Sequence, residues 1–201
     1  MTSSPNASCE IRLLVGLGNP GPSYSKTRHN VGFYLLDDYV FSKGGTWKND
    51  NKCNGLIAEI MLANRQKVYC LKPQTFINLS GNAVGAFCAY HKIVPESVMI
   101  VCDDVSIPFG KFKVSTIPGN AGHNGIKNIS EVFGDGFSRY RIGVGIKPKY
   151  IPLNDFVLGR FSDIESSHLS EIAQTFKNNI EVLIDKGVTK GLNFIERQKN
   201  E

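Results

Sequence analysis

The sequence predicts a single-domain α/β sandwich built on a mixed, mostly parallel sheet. Apolar runs rich in β-branched residues alternate along the chain with segments of helical periodicity, as expected when helices cover a sheet. The 201 residues are enough for one hydrophobic core and too few for two comfortable domains. No internal repeat or low-complexity linker divides the sequence. We therefore expect one folded unit.

Six apolar segments, each bounded by turn-forming residues, are predicted to be strands. In chain order they are "IRLLVGL" (11–17), "GLIAEIML" (55–62), "KVYCLKP" (67–73), "SVMIVCD" (97–103), "KFKV" (111–114) and "YRIGVGI" (140–146). Loops rich in glycine and proline are predicted at 18–23, 117–122 and 147–154.

Three helices are predicted from apolar residues that recur on one face. These faces contain Val31, Leu35 and Tyr39; Ala83, Val84, Phe87 and Cys88; and Ile126, Ile129 and Phe133. A fourth and longer helix is predicted to begin at a capping box formed by Ser162 and Glu165 and to stop at Gly187. Its apolar stripe consists of Ile172, Phe176, Ile180 and Leu183.

Composition and cysteine spacing exclude several classes of protein. Apolar residues make up 41% of the chain, but no run approaches the roughly 20 apolar residues of a membrane-spanning helix. The five scattered cysteines lack C-x-x-C spacing, which predicts neither disulfides nor a zinc site and favours a reducing compartment. The N-terminal "MTSSPNASCE" has no apolar core of a secretory signal. We expect a disordered tail over 1–10 and a folded domain over 11–201.

The positive charge is concentrated in one part of the chain. Between positions 111 and 149 there are seven basic residues and two acidic ones, an excess that equals the whole net charge of +5. The basic residues are Lys111, Lys113, Lys127, Arg139, Arg141, Lys147 and Lys149. Such a surface suits a polyanion such as nucleic acid. A solvated face that keeps the protein in solution is the alternative.

Gly16, Gly18 and Gly21 have the spacing of a dinucleotide-binding turn, but their surroundings exclude that function. The fingerprint requires a helix that begins at the third glycine, so that backbone N–H groups bind a pyrophosphate. Pro20 and Pro22 flank Gly21 and remove two of those donors. We therefore expect no nicotinamide or flavin cofactor.

Polar residues instead cluster after the predicted strands, at the edge where α/β sheets place their sites. They are Asn19, His29, Asn30, Asn78, Asp103, Asp104, His123 and Asn124. Each has a structural alternative: Asn78 as a helix cap, Asp104 as a turn residue, His123 as a histidine at a helix N-terminus. The two aspartates are too few for a typical hard-cation site, so no metal is expected.

Six segments in order resemble the bacterial-type peptidyl-tRNA hydrolase family. They are "VGLGNPGPSYSKTRHNVG", "QTFINLSG", "VCDDVSIPFGK", "GNAGHNGIKNI", "YRIGVG" and "FVLGRFS". The resemblance extends over residues 11 to 195, nearly the whole chain. It implies a monomeric three-layer α/β/α sandwich that hydrolyses the ester between a peptide and the 3′-terminal ribose of tRNA, and so recycles tRNA for translation. No cofactor or metal is implied. The expected location is cytoplasmic, with a mitochondrial location left open.

The resemblance also assigns roles to the polar residues. His29 matches the general base, since an imidazole accepts a proton near neutral pH. Asp103 matches the aspartate that orients this histidine and stabilises the imidazolium. Water is the expected nucleophile.

Three asparagines match the positions that bind substrate in the family: Asn19, Asn78 and Asn124. An amide both donates and accepts hydrogen bonds without adding charge, and one of the three is expected to stabilise the oxyanion. Tyr24 and His123 match positions that shape the site.

Two basic positions of the family bind the 5′-phosphate of tRNA. Arg141 matches one, while ungapped spacing places the uncharged Ser115 at the other. Lys111 or Lys113 is expected to compensate. Two smaller departures from the family pattern, Ile77 and Ser106, are expected to preserve activity.

Two alternative functions are compatible with the sequence. Plant relatives of the family are splicing cofactors without evident hydrolysis, so an RNA-binding protein without catalysis is the first. The second is an esterase or amidase that acts on small N-acyl compounds. A panel of free N-acyl amino-acid esters would separate this second alternative from a tRNA-dependent enzyme.

Overall fold

The computed structural model describes residues 10–198. The predicted disordered tail, apart from Glu10, therefore lies outside the described residues.

Within that range the chain forms seven strands and seven α-helices. The strands are β1 (Leu13–Gly16), β2 (Lys48–Asp50), β3 (Gly55–Met61), β4 (Lys67–Pro73), β5 (Val98–Asp104), β6 (Phe112–Ser115) and β7 (Ser138–Gly143). The helices are α1 (Val31–Ser42), α2 (Ser80–His91), α3 (Asn124–Phe133), α4 (Leu153–Leu158), α5 (Asp163–Ser167), α6 (Leu169–Lys186) and α7 (Val188–Gln198). Short 3₁₀ turns span Arg28–Asn30, Ile77–Leu79 and Pro95–Ser97.

All seven strands belong to one mixed sheet, which confirms the predicted fold class. The strand order is β2-β3-β4-β1-β5-β7-β6. The four central strands β4, β1, β5 and β7 are mutually parallel, and the strands outside them pair antiparallel. The carboxyl ends of β1 and β5 are therefore adjacent, and the polar residues that follow them meet at one edge.

Helices cover both faces of the sheet and give it three layers. On one face Leu14, Met99 and Val101 pack with apolar residues of α1, α6 and α7. On the opposite face Leu13, Val15 and Ile100 pack with apolar residues of α2 and α3. Successive strand residues thus serve opposite cores, as the two-residue period of a strand requires.

Gly32 allows α1 to lie directly against the carboxyl ends of β1 and β5. A Cβ atom at this position would lie 2.4 Å from the carbonyl oxygen of Val101 and 2.7 Å from the nitrogen of Leu17. Only glycine permits this approach. His29 lies three residues earlier, so the close packing also fixes where the turn with His29 meets β5.

The prediction of one long helix from Ser162 to Gly187 is wrong. The capping box exists, but it caps the separate helix α5, which ends at Ser167. The apolar stripe belongs to α6, which begins at Leu169. The physical reason is burial. Helix α5 has no buried residue, so no apolar packing keeps it coaxial with α6, whose apolar stripe packs on the sheet.

Three elements were not predicted. Strand β2 is polar, with the sequence Lys-Asn-Asp, and shows no apolar alternation. Helix α4 begins inside the predicted loop at 147–154, and only Val157 of its six residues is buried. Helix α7 follows Gly187 at once and buries Val188, Gly191 and Ile195. No helix within residues 10–198 is both long and apolar enough to span a membrane.

Candidate functional site

His29 and Asp103 are in direct contact at the carboxyl edge of the sheet. His29 lies in the 3₁₀ turn before α1, and Asp103 is the penultimate residue of β5. The Nδ1 atom of His29 lies 2.7 Å from Oδ1 of Asp103. Their side chains are only 12% and 3% exposed. Because the oxygen of a carboxylate accepts, the proton of this hydrogen bond lies on Nδ1 of His29.

His123 contacts the same aspartate oxygen from the other side. It is the N-cap of α3, and its Nδ1 accepts hydrogen bonds from the backbone N–H groups of Gly125 and Ile126. Its Nε2 lies 3.2 Å from Oδ1 of Asp103. A backbone N–H only donates, so Nδ1 of His123 carries no proton and Nε2–H donates to Asp103.

These contacts distinguish the two histidines. Both ring nitrogens of His123 are occupied, one by the helix cap and one by Asp103. His29 uses only Nδ1, and its Nε2 has no hydrogen-bond partner among the residues that the structure describes. His29 is therefore the one of the pair that has a basic nitrogen free to take a proton.

Asp103 is held in its charged form. Burial raises the pKa of its carboxyl group, but the charge interactions and hydrogen bonds with His29 and His123 outweigh burial and bring the pKa well below its ordinary value of 3.8. The group therefore remains a carboxylate and can stabilise a positive imidazole beside it.

Among residues 10–198, these three residues are also the group whose side chains are close enough together to hold a metal ion. One ligand atom from each of His29, Asp103 and His123 lies within 4.8 Å of the others. Two imidazoles and a carboxylate suit a transition metal. A metal ion would displace the protons that His29 Nδ1 and His123 Nε2 now donate to Asp103. The hydrogen bonds explain the cluster, and the absence of a metal stays a prediction.

Asn19 is buried and is part of the scaffold of the site. Its Oδ1 accepts a hydrogen bond of 2.9 Å from the backbone N–H of Ile77. The side chain of Asn30 binds both the backbone N–H and the carbonyl of Asn19. Asn19 is thereby tied to the turn with His29 and to the loop with Asn78. The bond from Ile77 orients the amide of Asn19 and leaves its NH₂ available to donate to a ligand.

Asn78 and Asn124 are exposed, unlike Asn19. Neither side chain forms a hydrogen bond within the described part of the chain. The alternative role of Asn78 as a helix cap is wrong, because it lies inside the 3₁₀ turn and the residue before α2 is Leu79. Tyr24 is half-buried, with its ring edge-on to Phe76 at 6.2 Å between centroids.

A concave pocket adjoins His29, Asp103 and His123. Its walls come from the end of β5, the β6–α3 loop, β7 and α4. The lining includes Asp104, Val105, Gly119, Asn120, Ala121, Gly122, Asn124, Arg139, Arg141, Leu153, Asn154 and Val157. Neither Asn19 nor Asn78 is among the residues that line it.

Arg141 and Lys113 share one face of the sheet. They are directly opposite in the β6–β7 ladder, whereas Ser115 is opposite Arg139. Residues opposite each other in an antiparallel pair have neighbouring side chains, so Lys113 is the lysine that the register places beside Arg141. Arg141 is held by Asp104, with 2.9 Å between Nη1 and Oδ2.

The basic surface is smaller than the sequence predicted. Arg139 is only 1% exposed and donates to the carbonyls of Ile117 and Phe137. Lys127 pairs with Glu131 on α3. Lys111, Lys113, Lys127 and Lys149 remain exposed. A count of basic residues along the sequence includes side chains such as Arg139, which the fold buries and pairs with backbone carbonyls.

The sequence placed Asn30 at the edge with the site but did not predict its two hydrogen bonds to the backbone of Asn19. It missed the burial of Arg139 and the pocket wall from α4. Arg139 resembles any surface arginine in the sequence, and α4 has too few apolar residues to be recognised.

Comparisons with known proteins agree on one family. The family model for peptidyl-tRNA hydrolase matches residues 13–201. The chain is 37% identical over 186 residues to a peptidyl-tRNA hydrolase of Dichelobacter nodosus, covering 92% of this chain and 98% of that protein. It is 38% identical over 183 residues to that of Thermotoga petrophila, covering 90% and 95%. The crystal structure of peptidyl-tRNA hydrolase from Acinetobacter baumannii superposes with a TM-score of 0.86 at 32% identity, covering 94% of this chain and 96% of that one.

Proposed function

The chain belongs to the peptidyl-tRNA hydrolase family and acts on the ester bond of peptidyl-tRNA; from this premise we propose that His29 is the general base of the reaction. The observation that carries the proposal is the free Nε2 of His29, in a pair of histidines whose three other ring nitrogens are bonded. Asp103 orients the imidazole through Nδ1. His123 orients Asp103 and caps α3.

The first step is attack of water on the ester carbonyl carbon. Nε2 of His29 takes a proton from the water as the C–O bond forms, which leaves an imidazolium and a tetrahedral oxyanion. The lowered pKa of Asp103 keeps it a carboxylate while His29 becomes positive. Asp103 therefore stabilises the imidazolium without taking its proton.

The second step is collapse of the tetrahedral intermediate. The bond to the ribose oxygen breaks, and this oxygen takes the proton from Nε2 of His29. The products are a peptide with a free carboxyl group and a tRNA with a free terminal hydroxyl. His29 returns to its neutral form, so no cofactor or metal is needed to balance the reaction.

The asparagines are proposed to bind the two ends of the reacting ester. The hydrogen bond from Ile77 orients the Asn19 amide through its oxygen and leaves its NH₂ available to donate, and a donor is what an oxyanion requires. Asn78 and Asn124 are exposed and can offer either amide atom. We assign them to the peptide backbone and the terminal nucleotide, and Tyr24 to the wall of the channel.

Arg141 and Lys113 are proposed to bind a phosphate of the tRNA. Their opposite positions in the β6–β7 ladder place two cations side by side. Phosphate contacts of this kind position a nucleic acid without reading its bases. Lys111 lies just before β6 and is proposed to add to the same field.

We also propose that residues 11–201 form one domain that acts as a monomer in the cytoplasm, with mitochondria as the alternative location. Light scattering on the purified protein should give the mass of one chain. A dimer mass would contradict this part of the proposal, and imaging of the tagged chain would decide the location.

The function is tested by hydrolysis of N-acyl-aminoacyl-tRNA against a panel of free N-acyl amino-acid esters, each with and without a chelator. We expect rapid hydrolysis of the tRNA ester in the presence of chelator and little hydrolysis of the free esters. Loss of activity on chelation would contradict the metal-free mechanism. Equal rates on the free esters would indicate a small-molecule esterase, and tight tRNA binding without turnover would indicate an RNA-binding protein.

A further inference from the structure

We propose that Arg28 is a positioning residue that fastens α4, one wall of the pocket, to the turn that carries His29. The inference rests on the proposed role of His29. It goes beyond that role because it assigns the geometry of substrate binding to a side chain that does not face the pocket.

The Arg28 side chain is enclosed on several sides. Its guanidinium lies over the ring of Phe156 at 4.8 Å from the centroid and over that of Phe161 at 5.4 Å. One nitrogen donates to the carbonyl of Arg160, and another lies 2.8 Å from Oε2 of Glu165. The side chain is 14% exposed. A planar fork that stacks and donates in two directions is particular to arginine.

The backbone reinforces the same attachment. The N–H of Arg28 donates to the carbonyl of Gly159, at 3.0 Å. Thr27 forms an isolated antiparallel bridge with Arg160. The chain just after α4 is thus bonded to the chain just before His29, through both main chain and side chain.

Helix α4 depends on this attachment for its position. It has six residues and no side-chain cap at its start. A helix this short is not stable alone in water. Leu153 and Leu158 are 39% and 41% exposed, and Val157 is the buried residue of α4, so its apolar packing is limited. Phe156, which packs against the core and lies under the Arg28 guanidinium, is therefore a main anchor.

The other side of α4 faces the pocket. Leu153, Asn154 and Val157 line it together with His29 and His123. A shift of α4 would change the distance between this wall and His29. Arg28 thereby links the α4 wall of the pocket, which is proposed to contact substrate, to the turn that carries His29, the proposed base.

Glu165 completes the link. Its Oε2 accepts from Nη2 of Arg28 and also, at 2.7 Å, from the backbone N–H of Ser162. The capping box of α5 and the Arg28 ion pair therefore share one carboxylate oxygen. A carboxylate in two charge-assisted or capping bonds is held in place more firmly than in either alone.

The test compares Arg28→Lys and Glu165→Gln with Arg12→Lys, an exposed arginine that contacts the carbonyl of Lys92. We expect Arg28→Lys to raise KM for N-acyl-aminoacyl-tRNA on the order of tenfold, since a misplaced wall weakens positioning, and Glu165→Gln to raise it less. Backbone amides of 153–158 should exchange faster with solvent in both variants, while those of β5 stay protected. Arg12→Lys should match the wild type.

The readouts separate this inference from the proposed role of His29. The acid limb of the kcat/KM profile should keep its midpoint in Arg28→Lys, since Asp103 still orients His29. Unchanged KM and unchanged exchange over 153–158 would overturn the inference and leave the role of His29 intact.

A fall in kcat at constant KM, in proportion to lost folded protein, would show that Arg28 only stabilises the fold, and would overturn the inference too. The double variant should equal Arg28→Lys alone, and additive effects would contradict a single link.

Discussion

The site has two regions that differ in how far the folded chain has already ordered them. We call one the floor: His29, Asp103, His123, Asn19 and Asn30, all buried or half-buried and all bonded to one another or to nearby backbone. We call the other the rim: Asn78, Asn124, Lys111 and Lys113, all exposed. The sequence identifies residues of both regions as candidate site residues, and it does not show which of them are buried.

Under the proposed roles of these residues, the difference separates proton transfer from substrate binding. Proton transfer needs donor and acceptor fixed before substrate arrives, and the floor is fixed by folding itself. Binding a large and varied substrate needs groups that can adjust, and the rim leaves its amides and ammonium groups in water. Substitutions in the floor should therefore change kcat and stability, whereas substitutions in the rim should change KM.

Asp103→Asn should have the largest effect on rate among the substitutions that keep His29. An asparagine Oδ1 can accept both hydrogen bonds that Oδ1 of Asp103 now accepts, so the geometry can persist without the negative charge. We expect single-turnover hydrolysis to slow by about 10² to 10⁴. A loss below tenfold would show that charge on this residue is not needed to stabilise the imidazolium.

Asn19→Ala and Asn124→Ala sharpen the comparison within one residue type. Removing Asn19 leaves the buried N–H of Ile77 without its acceptor, which costs about 1–3 kcal/mol of unfolding free energy. Removing the exposed Asn124 should change stability by less than about 0.5 kcal/mol and act on KM instead. Urea titrations and steady-state kinetics measure the two effects, and equal destabilisation by both would break the division.

The pH dependence of stability tests the charged state of Asp103. Its folded-state pKa lies below the ordinary 3.8, so the ionised form is favoured in the folded protein. The stabilisation is fully present above that ordinary value and is lost as pH falls through the lower folded-state pKa. We expect the stability difference between wild type and Asp103→Asn to shrink as pH falls below the ordinary 3.8 of the carboxyl group. A difference that grows over that acid range would contradict the assignment.

Lys113→Gln and Ser115→Gln should give the smallest effects and separate two positions on β6. Lys113 lies opposite Arg141, so its loss should weaken tRNA binding several-fold and reduce the slope of log affinity against log salt by about one. Ser115→Gln should change neither. Lys111→Gln extends the series, and a larger salt effect there than at position 113 would overturn the register argument.

The sequence predicted the fold where apolar patterns are strong. Four of the six predicted strands, β1, β4, β5 and β7, and the stripe of α6 are mostly buried, so burial decides their structure. It could not predict β2, which is polar and pairs only at the sheet edge, or α4, whose position depends on Arg28 far from it in sequence. The break at His168 was missed because a capping box marks a helix start but not how long that helix continues.

For the site, the sequence identified the residues but not the hydrogen-bonding role of each ring nitrogen. The motifs named His29, Asp103 and His123, but only the fold shows that the Nδ1 atoms of the two histidines do opposite things: one donates to Asp103 and the other accepts from the start of α3. Likewise, ungapped counting pointed to Ser115, whereas the strand register pairs Lys113 with Arg141. Distances across the sheet carry this information, and spacing along the chain does not.

The most direct test of the account is single-turnover hydrolysis of N-acyl-aminoacyl-tRNA by His29→Ala and His123→Ala, with chelator present and with folding verified for both. The account predicts a loss of about 10² to 10⁴ for His29→Ala. It predicts a much smaller loss for His123→Ala, together with destabilisation of about 0.5–2 kcal/mol from the lost helix cap. Equal losses in both variants, or a larger loss for His123→Ala, would contradict the claim that the free Nε2 of His29 is the base.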